Sequence, residues 1–105
     1  MKIDDFVQKS GLKILAMAKL KKSEYSIVLY LLNCVASGLD SIITTAAELS
    51  QLMSFSETDI LRALAALEEK QMVHCKKNKS KLHGRGTSLL LSLELDVSYW
   101  LLGQE

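Results

Sequence analysis

Five cations and no acid stand between positions 76 and 85: Lys76, Lys77, Lys79, Lys81 and Arg85. A run of one sign suits contact with a polyanion, because each cation that neutralises a phosphate releases condensed counterions and adds affinity without reading sequence. Arg85 lies between Gly84 and Gly86, on a tip that can enter a narrow minor groove, where the potential favours arginine. The plainer reading is a solvated loop kept for solubility, but surfaces built for solubility intersperse both signs. RNA suits such a segment as well as DNA does.

Other chemistry finds less support in the residue spacing. His74, Cys75 and His83, with Cys34 far upstream, are ligand types for a metal, yet no pair has the two-to-four-residue cysteine spacing of structural zinc sites. Cys34 and Cys75 fall within apolar patterns, where cysteine packs as a small hydrophobe. No metal and no cofactor are expected. Glu68 and Glu69 lie on a helix flank, neither histidine has an evident orienting carboxylate, and no glycine loop is built to cradle phosphate, so no catalytic residues are assigned and an enzyme is not expected. Asn78-Lys79-Ser80 matches a glycosylation sequon, which has no role in a cytoplasmic chain.

The elements that would carry these residues follow from periodicity and caps. Ile3, Phe6, Val7, Ile14, Met17 and Ala18 recur at helical spacing, interrupted by Gly11, which suggests two short helices or one kinked helix. Ser23 is a candidate cap for a helix whose stripe of Ile27, Val28, Leu31, Leu32 and Val35 ends at Ser37-Gly38. Ser41 to Thr44 is a β-branched run long enough for a minimal strand. Thr45 and Glu48 form a capping-box pair ahead of a helix from Ala46 to Met53 that presents Ala46, Leu49 and either Leu52 or Met53 to one side. After a tight turn at Ser54-Phe55, Ser56 caps a helix from Glu57 to Lys70 with Ile60, Leu64 and Leu67 on one face. Met72 to Lys77 and Thr87 to Leu95 then read as two strands flanking the basic loop, and Asp96 caps a last short helix through Tyr99, Trp100 and Leu101.

Length and composition agree with this outline. One hundred and five residues suit a single domain over 1–105, 49% are hydrophobic, and there is no proline, which argues against turn-rich all-β folds and disorder. The expected fold class is mainly α with a small β-hairpin. No apolar run is long enough to span a bilayer, and MKIDDFVQK lacks the layout of a secretory signal, so the reading is cytoplasmic with no membrane partner. The formal charge of +1 conceals a division: residues 40–70 hold six acids against Arg62 and Lys70.

The order helix, small strand, helix, helix, strand, loop, strand resembles the winged helix-turn-helix domains of bacterial regulators. The stretch from Thr45 through Ala-Ala-Glu-Leu-Ser-Gln-Leu, and then Ser56 through Val73, is similar to that family's most typical segment. Lys22-Ser-Glu-Tyr-Ser-Ile-Val-Leu-Tyr-Leu-Leu resembles the opening helix of the multiple-antibiotic-resistance regulators, and also replication-initiator domains of plasmids and phages. The resemblance implies a winged helix core over 22–95, with a helical extension at 1–21 and a terminal helix at 96–105. It makes Glu57 to Lys70 the recognition helix, where Ser56, Thr58 and Arg62 are placed to touch phosphates or bases.

Two departures stand out. Ser54-Phe55 occupies a turn where many members have glycine. Glu57 and Asp59 open the recognition helix where base-reading residues belong, and Leu61, Ala65 and Ala66 offer base edges no hydrogen bonds. The sequence therefore supports a DNA-binding regulator or replication accessory protein gripping backbone with its wing. Its rival is a protein adaptor that docks a partner through the acidic face at Glu57 and Asp59. The apolar faces at both chain ends either cover each other within one chain or form a twofold interface, and the second use suggests a homodimer, the commonest oligomer.

Overall fold

Helix α1 (Lys22–Ala36) buries Ile27, Val28, Leu31 and Leu32 along one stripe. These residues belong to a computed structural model that describes positions 13, 15, 19–78, 88–96, 99 and 100. The helix starts differently from expectation. Ser23 lies inside the first turn, while Lys21 takes the cap position and its N–H donates to the Glu24 carboxylate at 3.4 Å. An acid at this place satisfies an otherwise orphaned amide and suits the positive helix end. The far end is as read: Gly38 takes φ 93°, with Gly38 N–H donating to Val35 and Leu39 N–H to Cys34. That paired bonding closes a helix through a left-handed residue, and glycine takes the conformation without steric cost.

Two further helices follow. In α2 (Ala46–Met53) the Thr45 hydroxyl accepts the Glu48 N–H at 3.1 Å. Leu49 is buried and Met53 half-buried, whereas Leu52 faces solvent, which settles the choice between the last two. Ser54 adopts the left-handed conformation that glycine would fill elsewhere. Phe55 finds its place against the core, and its carbonyl accepts a hydrogen bond from the Ser50 hydroxyl. Helix α3 (Glu57–Glu69) is capped by Ser56, with Lys70 as its C-cap, and buries Ile60, Ala63, Leu64 and Leu67.

Strands β1 (Ile42–Thr44), β2 (Val73–Asn78) and β3 (Ser88–Leu93) form one antiparallel sheet in the order β1-β3-β2. The hairpin is a little displaced from the expected bounds, since Met72 and Leu95 are buried outside the strands. The minimal strand gains a partner that periodicity did not name: Ile42, Ile43 and Thr44 pair with Leu91, Leu90 and Leu89. Alternation sends Leu89, Leu91 and Leu93 into the core under α1 and α3, and leaves Leu90 on the outer face.

The ends of the chain contribute to the same core. Leu15, Leu95 and Trp100 are buried within it, and the Trp100 indole donates to the Glu94 carbonyl at 2.8 Å. Most of the expected extension at 1–21 and of the helix at 96–105 lies outside the described residues. Among the described residues, the three helices from Lys22 onward and a three-stranded antiparallel sheet, in this order, are consistent with a helix-turn-helix followed by a wing.

Candidate nucleic-acid interface

The start of α3 places Ser56, Thr58 and Arg62 at the surface. The Ser56 hydroxyl already accepts the Asp59 N–H at 3.1 Å, so one of its lone pairs serves the cap while its proton can donate to a phosphate oxygen. Thr58 and Arg62 are one turn apart on the outward side, opposite the buried stripe. Around them the face is acidic: Glu57, Asp59, Glu68 and Glu69 are exposed with one arginine among them. Arg62 does not pair with Asp59 or Glu69, and none of the four carboxylates has an ion-pair partner among the described residues. The acids in the first turn suit the positive helix end and repel phosphate at the same time.

Lys76 and Lys77 are both exposed on β2, but the sheet separates them. Lys77 stands opposite Leu89, on the inner side with Val73 and Cys75; Lys76 stands opposite Leu90, on the outer face. Only Lys77 therefore shares the side of the hairpin on which α3 packs. Lys79, Lys81 and Arg85, and with them His83, lie outside the described residues.

One pairing escaped sequence reasoning. His74 Nε2 lies 3.0 Å from Glu94 Oε1, so this histidine does have an orienting carboxylate. The hairpin register, with His74 opposite Ser92, brings the two together across 20 residues. Glu94 also takes the Asp96 N–H through Oε2 at 3.1 Å, while its own N–H donates to Met72. The pair thus clips the exit of β3, and among the described residues no serine or cysteine nucleophile is bonded to it. Cys75 is half-buried, and burial, then the Glu68 charge, pushes its thiol pKa up against the lowering effect of Lys77. Among the described residues no group of three or more histidine, cysteine or acidic side chains is placed to hold a metal ion, and no helix is long and apolar enough to cross a membrane.

No family model matches the chain, and no curated protein matches it. In structure it is similar to a possible transcriptional regulator from Methanosarcina mazei Go1, with a TM-score of 0.54 and 17% sequence identity. The match covers 90% of this chain and 67% of the other. At that identity the likeness speaks for the fold alone.

Proposed function

We propose that this chain is a DNA-binding regulator that grips the phosphate backbone from the wing side and reads sequence weakly. The observation that carries this reading is Lys77, exposed on the α3 side of the hairpin where β2 runs into the basic segment 76–85. Lys79, Lys81 and Arg85 extend the same charge along the sequence, and Thr58 and Arg62 add polar contacts from α3. The name of the structural neighbour points the same way. Pairing of two copies on the duplex belongs to this reading, because regulators of this kind read two half-sites. Leu15 and Trp100, buried in one chain's own core, are not free to supply that interface.

Fluorescence anisotropy with unrelated duplexes, titrated against salt, tests the proposal. Each phosphate contact contributes about −0.9 to the log–log slope, so Lys77→Ala should flatten it by about one unit, and Lys79→Ala with Lys81→Ala by about two. Arg85→Ala should cost most on A·T-rich duplexes. Absence of binding to duplex or single strand at low salt, with the protein folded, ends the reading.

The second reading is an adaptor that docks a basic partner on α3, and four carboxylates without an ion-pair partner among the described residues favour it. Glu57→Ala and Asp59→Ala separate the two. They leave DNA binding unchanged or tighter, whereas they remove an adaptor's contact.

A further inference from the structure

Two surfaces of this molecule are exposed among the described residues, and each has what the other lacks. On the outer face of the sheet, Ile43, Leu90 and Lys76 form one cross-strand row, since both Ile43 and Lys76 stand opposite Leu90. Ile43 is 76% exposed and Leu90 37%, an unusual setting for two branched aliphatic side chains side by side. On α3, Glu57, Leu61, Ala65 and Glu68 follow one another at helical spacing on a single exposed stripe, with Leu61 44% exposed between the two acids. The first surface is apolar with a cation at its edge. The second is apolar with carboxylates at both ends. Neither Lys76 nor the two glutamates have an ion-pair partner among the described residues.

Within one molecule these surfaces cannot meet, because α3 packs on the inner side of the sheet and the row points away from it. We infer that they meet between molecules: the Glu57–Leu61–Glu68 stripe of one copy docks on the Ile43–Leu90–Lys76 row of a second. Opposite charge and apolar centres select this occupant over a twofold stacking of two outer faces, which would set Lys76 near its own copy. The contact joins two different surfaces, so it leaves one of each free at the ends of a pair and adds copies head to tail. It is small, in the class below about 1,200 Å² that characterises transient contacts, and so depends on concentration and salt. The contact does not rest on the nucleic-acid reading and stands if that reading fails.

Sedimentation of the full chain over a concentration series tests it. The mean mass of the wild type should rise with concentration beyond that of a dimer, and fall back to the monomer as salt is added. Ile43→Ser and Leu61→Ser, both at exposed positions, should each remain monomeric across the series with an unchanged melting transition. Mixed in equal amounts they should restore one pair and nothing larger, because only one intact contact can form between them. Lys76→Glu should abolish association while Lys77→Glu, on the other side of the strand, leaves it intact, which keeps the test open if a serine variant folds poorly. A wild type that stays monomeric at its highest soluble concentration overturns the inference. So does an effect of Ile43→Ser without one of Leu61→Ser, which indicates sheet-to-sheet stacking. Association indifferent to both, or a mixture that does not recover, overturns it equally.

Discussion

Lys70, the C-cap of α3, places its Nζ 2.9 Å from Oε1 of Glu24, 46 residues away in the first turn of α1. Glu24 is 3% exposed, and the same oxygen accepts the Lys21 N–H, so one carboxylate caps a helix and ties α1 to the end of α3. Removing one member of such a pair leaves a buried charge without its counterion. Lys70→Ala should therefore cost about 2 kcal/mol, more than surface pairs are worth. Replacing both residues with methionine should recover much of that loss. Urea denaturation of the two variants decides, and a neutral Lys70→Ala would mean that the carboxylate is adequately solvated.

Gln71 follows the C-cap of α3 at φ 60°, the left-handed conformation in which a side chain is strained. Its N–H donates to Glu68, and Met72 N–H donates to Leu67, the same closure that Gly38 makes without strain after α1. Gln71→Gly should stabilise the fold by up to about 1 kcal/mol, the relief of strain exceeding the extra freedom of the unfolded chain. Thermal melting reads the result. A lower midpoint would show that the Gln71 side chain contributes more than its exposure suggests.

Trp100 is the sole tryptophan and belongs to the core, so its fluorescence reports how the chain's end is docked. Trp100→Ala should cost about 3 kcal/mol, as large-to-small core changes do. The loss should be independent of protein concentration, since Trp100 packs within one chain. Glu94→Ala, which removes the carboxylate holding His74 and the Asp96 N–H, should shift the Trp100 emission to the red. An unchanged spectrum would show that the indole bond to the Glu94 carbonyl suffices.

Cys75 titrates above the ordinary thiol range, burial being the main cause. The unfolded chain ionises this thiol first, so Cys75 contributes stability below the unfolded value and loses it as pH rises toward the folded one. In a Cys34→Ala background, alkylation of Cys75 should set in at higher pH in the folded protein than in urea. Coincident profiles would contradict the burial seen on the inner side of β2.

Short-range order was legible in the residues alone. Helical periodicity, the caps Thr45 and Ser56, the stop at Gly38 and the core stripe of α3 all depend on neighbours within a few positions, and spacing encodes those directly. The expected helix at residues 96–105 and the loop carrying Lys79, Lys81 and Arg85 lie largely outside the described residues. What depended on where the chain returns was not legible. Three residues of β1 acquire a place only by pairing with β3, and two adjacent lysines differ in use only because a strand alternates its faces. Glu24 and Lys70 look like ordinary surface charges until α1 and α3 pack, and His74 meets Glu94 only once the hairpin closes in register. Of the apolar residues at the two ends, which spacing allows either to cover each other within one chain or to meet a second copy, Trp100 packs into the core of its own chain, and Leu15, outside the stripe read from spacing, does the same. Periodicity reports which side of an element is apolar; tertiary packing alone decides what covers it.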